Sequence, residues 1–91
     1  MNIIKRRIEL FQIRSTLDKK FKELDLSNKS KVCSILAWKS RYKICQDMIN
    51  ILEHAMIEFP TYPEFQKMNT NIKNTIEIMD YAKDSGIIRE P

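Results

Sequence analysis

Apolar residues recur along the middle of this chain in steps of three and four, from Ile35 through Trp38, Tyr42, Cys45, Ile49, Leu52 and Met56 to Phe59. Only a helix brings such positions onto one stripe, because a strand sends successive side chains to opposite faces. Ala37, Ile44 and Ile51 widen the stripe, and Met48 and Ala55 fill it. A face that broad has apolar surface for two neighbours, so this helix is expected to be central. Pro60 should end it, since the residue before a proline is pushed out of helical geometry. The spacing predicts a helix over residues 30–59.

On either side the same period returns. Ile3, Leu10, Leu17 and Leu24 are spaced by seven, with Ile4, Ile8, Phe11 and Ile13 thickening the early part and Phe21 the end. Asn2 suits an N-cap, and the capping residues of 25–30 predict a turn from which Ser27 or Ser30 caps the next helix. Thr61, Pro63 and Glu64 read as a capping box, in which Thr61 caps, Pro63 needs no donor and Glu64 reaches back to the Thr61 N–H. Phe65, Met68, Ile72, Ile76, Met79 and Ala82 form the third stripe. Gly86 is expected in the left-handed position that closes it, with Ile87 folding back on Ala82 and residues 88–91 fraying. The expectation is an all-α single domain over residues 1–91, an antiparallel three-helix bundle (up-down-up) with a long central helix. Its helices would span about 3–24, 30–59 and 61–85, with Trp38, Tyr42, Ile49, Leu52, Phe65, Ile72 and Met79 in the core.

Length limits that core. A chain of 91 residues buries only about 60–65% of the surface its unfolded form exposes, so part of its stability is expected from a partner. One glycine and three prolines argue against a linker-rich or disordered chain. No run of about 18 apolar residues is present to span a membrane. The first residues lack the apolar core of a leader, so a cytoplasmic location is expected. Cys33 and Cys45 lie twelve residues apart on one predicted helix, roughly 18 Å at the helical rise. A disulfide needs Cα atoms within about 7 Å, so both are expected as reduced thiols.

Charge changes the picture more than composition does. Residues 1–45 carry twelve Lys and Arg against four Asp and Glu, whereas residues 46–91 carry four against eight. Antiparallel packing would gather Lys19, Lys20 and Lys22 beside Lys29 and Lys31, with Lys39, Arg41 and Lys43 further along. Such a basic corner suits a phosphate backbone or an acidic protein surface. The helix dipole favours lysines in the last turn of the first helix but not Lys29 and Lys31, nor Lys5, Arg6 and Arg7, near helix starts. Asp80 and Asp84 are expected to return to the corner and neutralise part of it.

Chemistry beyond charge is thin. Trp38, Tyr42 and Phe65 fall on buried stripes rather than on base-stacking positions, leaving Phe21, Tyr62 and Tyr81 accessible. No helix-turn-helix or zinc-finger spacing occurs. His54 is the single histidine and is expected to pair with Glu58 one turn on. No nucleophile shares its face, and Cys33, Cys45 and His54 diverge too far to hold a metal, so no enzyme, cofactor or metal site is expected. Ile3, Ile4, Ile8 and Phe11 oppose Lys5, Arg6, Arg7 and Arg14 as in a membrane-surface helix, but that apolar face is expected to cover the second helix instead.

The function expected is a small non-enzymatic protein–protein interaction module. It would be a regulator or inhibitor that docks a helical face on a larger protein, in the manner of mobile-element inhibitors or secretion-chaperone adaptors. The alternative is a nucleic-acid-binding protein using the basic corner. A homodimer is expected, with Ile57 and Ile78 as contacts.

Overall fold

A computed structural model describes residues 3–24 and 35–86. They form three α-helices, α1 (Ile3–Leu24), α2 (Ile35–Glu58) and α3 (Pro63–Asp84), with no strand among the described residues. The expected turn at 25–30, its caps Ser27 and Ser30, the start of the central helix near 30, Asn2, Lys29, Lys31, Cys33 and Ile87 lie outside them.

α2 holds the other two. Both flanking helices pack on it, while no Cα atom of α1 lies within 8 Å of one in α3. Arg6 meets Glu58, Lys20 meets Asp47, and Arg41 meets the carbonyl of Leu24. On the other flank Trp38 meets the carbonyl of Met79 and Phe59 meets Phe65. One end of the molecule therefore gathers Leu24, Trp38, Arg41 and Met79, and the other gathers Arg6, Glu58, Phe59 and Phe65. The body measures 53 × 18 × 16 Å.

The core runs between these ends. Leu17 and Leu24 come from α1, Cys45, Met48, Leu52 and Ala55 from α2, and Phe65 and Ile72 from α3, each at most 2% exposed. Burying one such side chain is worth about 1.5–3 kcal/mol, and this supplies most of what holds three short helices together. Trp38 and Met79 close the core at its edge, and Tyr42 and Ile49 pack against it half-buried.

One correction concerns local chemistry. Thr61 is not the cap of α3. Tyr62 is, with φ −96° and ψ 101° and no side-chain cap. Pro63 occupies the first helical position, so the residue before it must be extended, which moves the cap one place past Thr61. Glu64 accepts the Tyr62 hydroxyl at 2.9 Å instead of reaching back to Thr61. Before it, the Tyr62 N–H donates to the carbonyl of Phe59 at 3.1 Å, closing a turn with Pro60 second in it, a position proline favours. Gly86, at φ 80°, takes the left-handed position past the end of α3 that an L side chain resists.

The second correction is larger. Ile3, Ile4, Ile8, Phe11 and Phe21 do not thicken the packed face of α1; they are 52–70% exposed. Packing on α2 is done by Leu10, Ile13, Leu17 and Leu24. Ile8 and Phe11 each precede a packed residue by two positions, a rotation of about 200° on a helix. α1 therefore carries two apolar stripes, and only one is used.

Candidate interaction surfaces

The Leu24 end is built around a buried cation. Arg41 lies on the packed side of α2, seven residues before Met48 and eleven before Leu52, so the helix turns it inward with them. It is 7% exposed, and its Nε donates to the Leu24 carbonyl at 2.7 Å. Nη1 reaches the carbonyl of Ala37 at 3.4 Å. The last carbonyls of a helix lack intrahelical donors and carry negative partial charge, and a guanidinium answers both. Arg41 thus belongs to the structure of the corner rather than to its surface.

Beside it, Trp38 stacks on Tyr42 with ring centroids 4.8 Å apart and donates Nε1–H to the Met79 carbonyl at 2.8 Å. Lys83 of α3 covers the Trp38 ring, its Nζ 4.7 Å from the centroid. Lys20 pairs with Asp47 at 3.4 Å. Lys19, Lys22, Lys39 and Lys43 are exposed and carry no ion pair among the described residues. Phe21, Leu36, Ile78 and Tyr81 are exposed at this same end, by 55%, 69%, 68% and 70%. Leu36 had no signal in the sequence, since it lies off every predicted stripe.

The Arg6 end repeats the theme in solvent. Arg6 donates Nη2 to the Glu58 carbonyl at 2.6 Å, and its Nη1 lies 3.1 Å from the carboxylates of both Glu58 and Glu9. Its guanidinium carbon sits 4.4 Å above the Phe59 ring. Phe59 meets Phe65 edge-on at 6.3 Å, and Tyr62 stacks on Phe65 at 4.7 Å. Burial pushes the Tyr62 hydroxyl above its usual range, and the bond to Glu64 and that carboxylate's charge push the same way against Arg14. Because Arg6 engages Glu58, the expected His54–Glu58 pair does not form; His54 Nδ1 lies 2.9 Å from the carbonyl of Asn50. Ile57, 76% exposed, belongs to this end. It stands 19 residues along α2 from Trp38, roughly 28 Å, so Ile57 and Ile78 do not share a patch.

Among the described residues the one thiol is that of Cys45. Cys45 is buried, and desolvation raises its pKa, which suppresses the nucleophilic thiolate. Shallow grooves run between α1 and α2, floored by Ile13, Ile51 and Ala55 and edged by Asn50, His54 and Glu58. Among the described residues no group of three His, Cys, Asp or Glu side chains can hold a metal ion, and no helix is long and apolar enough to cross a membrane. No protein-family model, no curated protein and no solved structure matches this chain.

Proposed function

We propose that this chain is an up-down-up three-helix bundle that acts as a non-enzymatic protein-interaction module, a regulator or inhibitor, docking its Leu24 end on a larger protein. The reversed order of partners along α2, with Arg6 at Glu58 and Leu24 at Arg41, supports the antiparallel topology. A buried free thiol suits a reducing, cytoplasmic setting.

One observation carries the reading. Four large apolar side chains from three different helices, Phe21, Leu36, Ile78 and Tyr81, stand exposed at the same end among Lys19, Lys22, Lys39 and Lys43. Single exposed apolar residues are ordinary, but four large ones at one end of so small a body, with charge among them, suit a docking end that the aromatics would anchor. The lysines, offset in part by the exposed Glu23, Asp80 and Asp84 of the same end, favour an acidic rim on the partner, which would speed encounter more than it tightens the complex.

Affinity purification from the native host, with nuclease and at moderate salt, tests this. A discrete protein should be retained by the wild type and lost with Ile78→Asp and Tyr81→Ala, both surface positions. Retention by both variants would remove the reading. The second reading, nucleic-acid binding, draws on the same lysines with Phe21 and Tyr81 as stacking platforms. It predicts binding that nuclease abolishes, with a salt slope that falls in Lys39→Gln and Lys43→Gln by about one unit for each phosphate left unneutralised. A homodimer, with Ile57 of one copy against Ile78 of another, belongs to the first reading. Sedimentation equilibrium showing a single-chain mass at micromolar concentration would exclude that part of it.

A further inference from the structure

We propose that the outer face of α1, at the end opposite the docking end, binds an anionic phospholipid surface. The packed stripe of α1 is complete without Ile4, Ile8 and Phe11, which are 70%, 52% and 70% exposed. They recur at steps of four and three, so they form one continuous ridge. Lys5 lies beyond Ile8 on one side of that ridge, and Arg7 and Arg14 lie on the other, all exposed. Glu9, the one acid in the first half of α1, is turned to Arg6 at 3.1 Å. Among the described residues the outer face from Ile4 to Arg14 is thus apolar and cationic, and its next acid is Asp18, one turn beyond Arg14.

The helix dipole supplies no reason for the cations at the start of α1. Lys5, Arg6 and Arg7 occupy the first two turns, where the dipole disfavours positive charge. Arg6 is answered by the last carbonyl and carboxylate of α2. Arg7 reaches neither and points with the outer ridge. An apolar ridge with Lys5 on one side and Arg7 and Arg14 on the other fits a helix lying in a membrane interface, with its apolar side chains in the acyl boundary and its cations at the headgroups. The charge also argues the choice of occupant. Two copies facing through this surface would oppose cation to cation, whereas an anionic leaflet attracts each Lys or Arg. The ridge is convex and the bilayer asks for no matching groove. One such patch gives reversible attachment rather than insertion.

Vesicle co-sedimentation of the full chain tests the proposal, with phosphatidylcholine vesicles containing about one third phosphatidylserine set against phosphatidylcholine alone. Binding should be at least about tenfold stronger to the anionic vesicles and should weaken as salt screens the cations. Ile8→Ser with Phe11→Ser should abolish it, and Arg7→Gln with Arg14→Gln should remove the preference for phosphatidylserine. Both pairs are surface changes, and an unchanged thermal midpoint shows that the bundle stands. Ile78→Asp, which tests the docking end, should leave vesicle binding intact, so failure of either surface is read separately. Equal binding to both vesicles, no binding to either, or full binding by the Ile8→Ser, Phe11→Ser protein would overturn the proposal. So would loss of a protein partner or of a dimer in that variant without any vesicle binding.

Discussion

At the Leu24 end, Arg41 gives its Nε to a helix-terminal carbonyl at 2.7 Å from within the core, 7% exposed. At the Arg6 end, Arg6 gives Nη2 to a helix-terminal carbonyl at 2.6 Å, its side chain 38% exposed. Each arginine comes from the start of one helix and caps the end of its neighbour, so each connects two helices where neither can satisfy itself. The distances are nearly equal, but the solvent is not. Around Arg41 water is excluded, and removing the guanidinium leaves a buried acceptor unanswered. Around Arg6 water is at hand, and two carboxylates share the charge. The same device is structural at one end and adjustable at the other.

The aromatic clusters divide in the same way. Trp38 and Tyr42 belong to α2 alone, and α3 contributes Lys83 and the Met79 carbonyl around them. Phe59, Tyr62 and Phe65 straddle the connection between α2 and α3, with α1 contributing Arg6. The first cluster holds one flank; the second holds the turn and both flanks.

Leu52 tests whether the two ends are one cooperative unit. It is fully buried between them, and Leu52→Ala should cost about 2–5 kcal/mol in urea unfolding. Amide exchange should rise at both ends together. Loss of protection at one end alone would make them separate units, and the contrast between the arginines would then be local.

The arginines give the direct contrast. Arg41→Ala should cost about 1.5–3 kcal/mol, the range for hydrogen bonds to charged groups. Arg6→Ala should cost less than about 1 kcal/mol, as exposed ion pairs do, and its effect should shrink in salt. The Arg41 effect should not. Equal costs, or equal salt dependence, would break the comparison.

The helices are legible because their burial repeats with the helical period. The seam from Ile35 to Phe59 needs no partner to be read, and Leu52, Phe65, Ile72 and Met79 fall in the core where the spacing puts them. Arg41 reads as surface from the sequence because residue type outweighs position, although it shares a face with Met48 and Leu52. The outer ridge of α1 misleads for the opposite reason. Its residues are apolar, and apolar character alone does not say which of two stripes, offset by two residues, faces α2. The capping box fails by one position because Pro63 dictates the conformation of Tyr62. The surfaces themselves are only partly legible, since exposure depends on how three helices meet. Lys20 pairs across helices, Lys39 and Lys43 stay in solvent, and Leu36 is exposed on no predicted stripe.

Cys45 offers a smaller test near the Arg41 end. Its pKa is raised by desolvation. A raised folded value means that its contribution to stability is complete below the unfolded thiol pKa and is lost as pH rises through the folded one. Stability should therefore decline on the alkaline side of the ordinary thiol range, measured in a Cys33→Ser background so that one thiol titrates. Cys45→Ala should remove that decline while lowering stability at neutral pH through the cavity it leaves. In the native state, alkylation of Cys45 should wait on opening of the core and should quicken in Arg41→Ala more than in Arg6→Ala. An alkylation rate that ignores both arginines would mean that the thiol is reached without opening either end.

Tyr62 gives the smallest effect and the finest division between the ends. Its hydroxyl donates to Glu64 at 2.9 Å on the solvent side of the Phe65 stack, so Tyr62→Phe keeps the stacked ring and removes one exposed hydrogen bond. Unfolding should barely change, because water replaces the donor to Glu64. The titration should change more than the stability. In the folded protein the Tyr62 phenol is held above the usual range by burial, by the Glu64 bond and by that carboxylate's charge, against the pull of Arg14. Its small contribution is therefore present below the ordinary tyrosine pKa and lost as pH rises through the folded value. Ultraviolet titration should find one of the three tyrosines ionising late in the wild type, moving down in Glu64→Gln and up in Arg14→Gln. A late tyrosine that persists in Tyr62→Phe would assign the shift elsewhere and leave the Arg6 end without the coupling between α1 and the start of α3 that Arg14 implies.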